Sequence, residues 1–296
     1  MKRYFVYVIG LLSFVSGYAQ EFQGVAQYES KTSFDFDMGD RKIPDDMKKR
    51  MEERMKSMFE KTFILTFNKT EATYLELEKL ETPGQNGGRP RMPGFGGSGK
   101  YYKNIKDNRY TNQVEVFGKM FLVKDTLNHL QWKLENESKK IGNYTCFKAT
   151  AVKPVDQFDF KNMRPRGRRG GDNKEGEENP EKEKDTTKTS LLDQIEVPKE
   201  ITITAWYTPE IPVSMGPDEY NGLPGLILEI NANRTTILCS KITLNPSGTE
   251  DIKEPSKGKE VSQEEFNDIM KKKMEEMRER FRSGGGRRGG SPGRMF

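Results

Sequence analysis

The sequence contains few of the residues that build catalytic and metal sites. Its 296 residues include one histidine, His129, and two cysteines, Cys146 and Cys239. A single histidine cannot make a histidine-rich metal centre, and two cysteines this far apart in the chain do not form a clustered zinc motif. A G-x-S-x-G nucleophile motif is also absent. These absences predict a protein that is not an enzyme, with no catalytic residues, no cofactor and no metal site.

Long apolar runs are equally scarce, because only 33% of the residues are hydrophobic and 32% are charged. The longest run lies in the first 20 residues, MKRYFVYVIGLLSFVSGYAQ, between two basic residues and the small residues Gly17 and Ala19 of a cleavage site. A membrane-spanning helix needs about 20 apolar residues. We therefore predict a signal peptide over 1–19. The mature chain is expected to be exported, to the periplasm, the outer membrane or the medium, without a transmembrane segment.

Neither sign of charge is in large excess. Without residues 1–19 the chain has 48 Lys and Arg against 45 Asp and Glu, too even a balance for a nucleic-acid-binding protein. The basic residues cluster in the Gly-rich segments GGRPRMPGFGG (87–97), RPRGRRGG (164–171) and GGGRRGGSPGR (284–294). Together with the charged stretch at 172–188, they predict disordered insertions at 82–99 and 161–190. Outside the cell these segments could meet acidic protein loops or anionic lipids, or they could be solubilising loops without a ligand.

Ten segments have the composition and alternation of half-buried strands. They are FQGVAQYES, FILTF, EATYLELE, NRYTNQVEVFG, KMFLVKD, QWKLENES, NYTCFKATAV, ITITAWYT, LILEINA and TTILCSKITL. Strands of this kind, joined by turns, predict a mainly β protein with a curved antiparallel sheet or half-open barrel. The predicted body is a single β-rich domain over 20–252.

Two segments have helical periodicity instead, each with one methionine-lined stripe. They are DDMKKRMEERMKSMFEK (45–61) and FNDIMKKKMEEMRERF (266–281), and the second lies in a predicted C-terminal region, 253–296, of helix and Gly/Arg-rich tail. Ser262 and Glu265 form a capping box before it. The stripes predict two amphipathic helices that cover the sheet. The alternatives are Cu(I) binding by the thioethers or a cleft for a lipid or peptide.

The stretch EYNGLPGLILEIN (219–231) contains a run of turn residues that leads directly into an apolar strand. A phosphate-binding loop would need a lysine, a hydroxyl and a helix after its last glycine. Here Leu226 and further apolar residues follow. We predict that Gly222 and Gly225 supply backbone angles that other residues avoid, and that Pro224 stiffens the bend before the strand.

This stretch also carries a family resemblance. GLPGLI (222–227) resembles the signature of the GLPGLI family of exported Bacteroidetes proteins, and AWYTPEIP (205–212), the W-x-L-x-x-E-x-K pattern (132–139) and IGNYTCFKA (141–149) resemble other parts of that pattern. Asn143 departs from it, where a glycine is expected. The resemblance implies an exported β-rich protein of uncharacterised activity, and it supplies no catalytic residues.

The prolines of residues 209–225 predict a stiff loop over the sheet, and a binding site is expected beside it. The candidate ligand-binding residues are Trp206, Tyr207, Asp218, Glu219 and Tyr220. For the aromatic residues, packing in the core is the alternative explanation.

The two cysteines lie in strand-like segments, and export permits a disulfide. A Cys146–Cys239 bridge would close a loop of about a hundred residues and stabilise the fold by roughly 4 to 5 kcal/mol. The alternative is two buried free thiols.

These observations predict a non-enzymatic binding or accessory protein of the cell envelope. Its concave sheet could hold an apolar ligand such as a lipid or peptide. The alternative is a docking subunit of an outer-membrane receptor or secretion assembly, bound through the Gly/Arg segments. Copper binding by the methionines is a third hypothesis.

Overall fold

The computed structural model describes residues 22–33, 46–47, 50, 59–77, 99–154, 164–165, 195–196, 199–248 and 251–284. The predicted signal peptide lies outside these residues, as do most of the first predicted helix and most of both predicted insertions. Glu60 and Lys61, the last two residues of that predicted helix, belong to a strand. The prediction is wrong at these two positions, because they are hydrogen-bonded into the sheet.

The described chain is built almost entirely of strands. They are β1 (Gln23–Thr32), β2 (Glu60–Asn68), β3 (Glu71–Glu76), β4 (Lys100–Asn104), β5 (Arg109–Val116), β6 (Lys119–Thr126), β7 (Lys133–Ile141), β8 (Tyr144–Pro154), β9 (Arg164–Pro165), β10 (Ile195–Glu196), β11 (Glu200–Thr208), β12 (Leu226–Ala232), β13 (Thr235–Leu244) and β14 (Lys259–Val261). One long helix, α1 (Gln263–Gly284), follows within the described residues. This helix is not apolar enough to span a membrane.

Twelve of the strands form one sheet in the order β14-β6-β5-β4-β3-β2-β1-β13-β12-β11-β8-β7. Neighbouring strands are antiparallel except for β14 and β6, which are parallel. The prediction of a mainly antiparallel β protein is therefore confirmed. The sheet is open, with β14 and β7 at its two edges, so it does not close into a barrel.

Alternation along the strands gives the sheet one apolar face. Ala26, Leu65, Tyr74 and Tyr101 stand opposite one another across β1 to β4, and all four are buried. The intervening positions of the same strands carry smaller polar residues such as Thr62, Thr66 and Thr73. Burial of the apolar row is the main stabilising contribution that the sequence pattern encodes.

Residues 209–225, which we call the plug, cover this apolar face. The plug contacts Lys103 on β4 and Lys153 on β8, although seven inter-strand spacings separate these strands in the sheet order. At about 4.8 Å per spacing, the two strands are roughly 34 Å apart along the sheet. One short segment can touch both only because the sheet curves around it. We therefore call the plug-covered side the concave face.

The C-terminal residues pack against β6, near the β14 edge of the sheet. Ser262 and Glu265 form the predicted capping box, with a 3.1 Å hydrogen bond in each direction between the side chain of one and the backbone N–H of the other. Phe266 packs edge-on against Phe121 at 5.8 Å, and Met270 is buried in the core. The first part of the methionine stripe therefore packs as an apolar face on the sheet.

Candidate functional site

The plug leaves β11 after Thr208 and ends where β12 begins at Leu226. Its buried hydrophobic side chains include Ile211, Val213, Met215, Tyr220 and Leu223. The Leu226 N–H donates to the Ile211 carbonyl at 3.0 Å, and the Ile227 N–H donates to the Met215 carbonyl at 2.9 Å. The plug is therefore tied by its backbone to the first residues of the strand that it feeds.

The GLPG bend is a sharp corner for two different physical reasons. Gly222 has a φ of +90°, a conformation that other residues rarely adopt. Gly225 is not among the residues with positive φ, so the predicted angle requirement is wrong there. Glycine is needed at this position because a Cβ atom would lie 2.2 Å from the Thr208 carbonyl oxygen. The predicted bend and the strand that starts at Leu226 are confirmed.

Lys103 is a charged residue in the middle of this apolar interior. Its side chain is 1% exposed. The Nζ atom donates hydrogen bonds to the carbonyl oxygens of Gly216, Asp218 and Tyr220, at 2.7, 2.8 and 2.8 Å. An ammonium group has three N–H donors, so all of them are satisfied. Residues 216–220, which we call the plug tip, thus present alternate carbonyl groups to one cation.

The environment of Lys103 acts on its protonation in opposite directions. Burial lowers the pKa of its ammonium to about 7, and the nearby carboxylates of Asp218 and Glu219 oppose this shift. A lysine with a lowered pKa is a common catalytic base or nucleophile. In this structure, however, the nitrogen is enclosed and fully engaged with backbone carbonyls. The arrangement is suited to holding the plug tip in place.

Three further contacts hold the plug along its length. Glu219 forms an ion pair with Lys153 of β8. Trp132 donates from Nε1 to the Asn221 carbonyl at 2.9 Å. The Thr145 N–H donates to Glu210 Oε1 at 2.8 Å. The plug is therefore fixed at its tip and at its entrance.

The structure brings together three of the five predicted ligand-binding residues. Asp218, Glu219 and Tyr220 lie in the plug tip, where Tyr220 is buried and the two acids are partly exposed. Tyr207 is also buried, with its ring 6.3 Å from that of Phe147. Trp206 lies apart from the tip, with Lys139 Nζ 4.3 Å from its ring centroid. The role of these residues in ligand binding stays a prediction.

Sequence reasoning missed two residues of the plug boundary. Lys103 lies in β4, KYYKN, which was not among the predicted strands because it is short and has lysines at both outward and inward positions. Tyr74 lies in a predicted strand, but the pattern does not show where its hydroxyl points. The one available signal is that both residues share the apolar face with Tyr101.

Tyrosine hydroxyls occur at several points of the plug boundary. Tyr28 donates to the Ile227 carbonyl at 2.7 Å, in the buried core. The rings of Tyr101 and Tyr110 stack, with centroids 5.4 Å apart. Tyr74 Oη is buried and has no hydrogen-bond partner among the described residues.

Both cysteines are buried and free in this structure. Cys146 lies 3.9 Å from the Tyr144 carbonyl oxygen, and Cys239 lies 3.6 Å from the Lys241 carbonyl oxygen. Burial is the main reason that the pKa of Cys146 is raised to about 11 and that of Cys239 to about 12. No bond joins the two sulfur atoms, and the disulfide stays a prediction.

Histidine and acidic residues form no evident reactive centre in the described ranges. His129 Nε2 lies 2.7 Å from Asn108 Oδ1 at an exposed turn. Among the residues that the structure describes, no three His, Cys, Asp or Glu side chains are close enough to hold a metal ion. Copper binding by the methionines is a different kind of site, and it stays a hypothesis.

Comparison with known proteins gives a family and two distant structures. Residues 132–229 match a family described as "Protein of unknown function (Porph_ging)". The match begins at Trp132, includes the whole plug and ends in β12. No curated protein matches the chain.

Two structures of PNGF-II, in space groups C2 and P21, each align with a TM-score of 0.45. Their identities to this chain are 14% and 13%, over 85% and 84% of its length. The chain spans about a third of PNGF-II, with 33% of that protein covered in each case. The family match covers about a third of this chain. The family that it matches has no assigned function.

Proposed function

We propose that this protein is a non-enzymatic accessory protein of the cell envelope that binds a partner protein through the segment between β8 and β11. The observation that carries this proposal is that the plug fills the concave face of the sheet. The plug thus covers the apolar surface of the sheet, so this surface does not need a partner protein to bury it. Partner binding is therefore assigned to segments outside the sheet.

The size of the plug argues against a carrier for apolar ligands. Burial of a large apolar side chain stabilises a protein by roughly 1.5 to 3 kcal/mol. The five buried hydrophobic plug residues represent a gross contribution of about 10 kcal/mol on this scale, which the ordering of the plug backbone partly offsets. A lipid or peptide in the concave face would have to displace the plug and replace this burial.

The segment 155–199 joins two neighbouring strands of the sheet. β8 and β11 are hydrogen-bonded neighbours, and their last pair joins Pro154 to Glu200. The chain therefore leaves the sheet and returns to it at adjacent positions. Lys153, directly before the segment, is the residue paired with Glu219 of the plug tip. The plug thus stabilises the end of the sheet from which the segment departs.

One basic run within this segment suits an acidic partner, although the segment as a whole has 10 Lys and Arg against 11 Asp and Glu. It contains RPRGRRGG (164–171), and arginine pairs well with carboxylates through its planar fork of donors. The backbone of Arg164 in this run lies opposite that of Glu196, in the two-stranded sheet formed by β9 and β10. A partner with acidic loops would bind in a salt-sensitive way.

Replacement of residues 155–199 by Asn-Gly tests this function. Because Pro154 and Glu200 are paired, a two-residue hairpin turn can join them. The shortened protein is expected to keep its circular dichroism spectrum and melting temperature. It should lose the partner that crosslinks to the full-length protein in intact envelopes.

Two full-length variants provide the matched control. Replacement of Arg166, Arg168 and Arg169 by Gln should weaken crosslinking, and replacement of the same three residues by Lys should preserve most of it. Retention of the same partner by the shortened protein would exclude this function. Lipid found by mass spectrometry in the purified full-length protein would favour the carrier hypothesis instead.

A further inference from the structure

The hydroxyl of Tyr74 lies in the boundary between the plug and the sheet. The residue is 5% exposed, and its oxygen has no hydrogen-bond partner among the described residues. Its ring is held on two sides, stacked on Phe63 at 4.6 Å and edge-on to Tyr28 at 6.3 Å. Tyr74 therefore cannot turn its hydroxyl to solvent without disturbing the core.

The sheet register places Tyr74 on the face that the plug covers, because it stands opposite Tyr101 of β4, and Lys103 of β4 binds the plug tip. Burial raises the pKa of Tyr74, and the charges of Asp218, Tyr220 and Glu76 raise it further. Tyr101 is the cross-strand partner of Tyr74, and its pKa is raised by burial and by Glu219 and Asp218. Both side chains thus face residues 218–220. The boundary here is polar, in an otherwise apolar interior.

Lys103 adds a second polar group to the same boundary. It lies two residues after Tyr101 on the same face of β4, and its ammonium binds the carbonyl groups of the plug tip. Each of these carbonyl oxygens has two lone pairs, so each can accept a second hydrogen bond. The plug tip therefore offers hydrogen-bond acceptors on the face of the sheet that carries Tyr74.

We infer that an ordered water molecule binds between Tyr74 Oη and the plug tip. A buried hydroxyl that lacks a partner is destabilising, and buried waters typically satisfy such groups by making about three hydrogen bonds. Water is the ligand that this chemistry selects, since the hydroxyl is neutral and the Lys103 ammonium bound to the plug tip disfavours a metal cation there. The water would join β3 to the plug, as Lys103 joins β4 to it.

The substitution Tyr74→Phe in the full chain tests this inference, with Tyr28→Phe as the matched control. Tyr28 already has a protein acceptor, the Ile227 carbonyl. The inference predicts that Tyr74→Phe lowers the melting temperature and removes one long-lived internal water from the ¹⁷O relaxation dispersion profile. The control should lower the melting temperature without changing the number of internal waters.

The opposite result is equally specific. If the Tyr74 hydroxyl binds no water, Tyr74→Phe removes only an unsatisfied polar group, so the melting temperature rises and the relaxation profile is unchanged. Either of these observations overturns the inference. A high-resolution crystal structure without solvent density within hydrogen-bonding distance of Tyr74 Oη would also overturn it.

Discussion

Lys103 Nζ donates a 2.8 Å hydrogen bond to the carbonyl oxygen of Asp218, across 115 residues of sequence. The bond joins β4 to the plug tip and is one of three that the same nitrogen makes. Because β4 and β11 belong to opposite halves of the sheet, this lysine fixes the plug across the concave face.

Substitution of Lys103 by Met should destabilise the fold by about 2 to 5 kcal/mol. It removes the Lys103 donor from three carbonyl groups, at roughly 1 to 3 kcal/mol each, while removal of the buried charge offsets part of this loss. Urea unfolding gives the change in free energy. Lys106→Met is the matched control, since Lys106 is exposed on the following turn and should change stability by less than about 0.5 kcal/mol.

A smaller variant separates the role of the ammonium from that of the side-chain volume. Lys103→Ala should be partly rescued by millimolar propylammonium, which can place a cation against the three carbonyl groups, and not by propanol. Equal effects of the two additives would show that the charge and its three donors are unimportant.

Alanine at Gly225 should be far more damaging than alanine at Gly222. At Gly225 the new methyl group meets the Thr208 carbonyl at 2.2 Å, so the backbone must move. At Gly222 the nearest atoms are on Trp132 at 3.8 Å, and the strain comes from the φ of +90° alone. We expect losses of about 3 kcal/mol or more and about 1 to 2 kcal/mol respectively. Similar urea midpoints for the two variants would contradict this assignment.

Acid should weaken the contact between Glu254 and β5. Burial alone would raise the pKa of Glu254, but hydrogen bonds from Thr111 and Arg109 outweigh it and hold the pKa below its usual value. A carboxyl with a lowered pKa stabilises the fold above its unfolded-state pKa, and this stability is lost as pH falls through the lower, folded-state value.

The measurement is the free energy of unfolding from pH 7 to pH 3. Glu254→Gln should be less stable than the wild type at pH 7, and the difference should shrink as the pH falls. A constant difference over this range would mean that the charge of Glu254 makes no contribution.

Two free thiols are expected in the mature protein. Two strands, β11 and β12, lie between the cysteine-bearing strands β8 and β13. The two sulfur atoms are not bonded to each other in this structure. Alkylation under non-reducing conditions should be slow in the native state, since burial raises both thiol pKa values, and should add two groups in denaturant. A mass showing no alkylation in denaturant would establish the disulfide.

Much of the sheet could be predicted from sequence because alternation reports directly on burial. All ten predicted segments contain strands, and the start of β12 at Leu226 follows from the GLPG bend. β4 and β14 of this sheet were missed, and so were β9 and β10 of the two-stranded sheet. The prediction of a disordered insertion over 161–190 is wrong at Arg164 and Pro165, because they form β9. β14 has only three residues, and β4 carries Lys103 on the face where alternation requires an apolar residue.

The site could be predicted less completely, because it depends on contacts between distant segments. The plug was predicted as a stiff loop over the sheet from its prolines, and Asp218 to Tyr220 were placed in it correctly. Lys103, which binds the backbone carbonyl groups of the plug tip, could not be identified from sequence. Every residue type has a carbonyl group, so the residue types at 216–220 do not indicate this contact. Trp206 and Tyr207 are adjacent in a strand, so their side chains point to opposite faces of the sheet. Sequence alone does not show which of the two faces is buried, because this depends on the register of the strand.

Hydrogen–deuterium exchange of the plug tests the central claim most directly. The amides of Leu226 and Ile227 donate to plug carbonyls, and the claim is that the plug permanently fills the concave face. We predict that peptides covering 211–227 are protected to the same extent as those of β13, in the presence and absence of lipid vesicles. Exchange of these peptides at the rate of an unfolded chain, or its acceleration by lipid, would show that the concave face opens and would contradict the account.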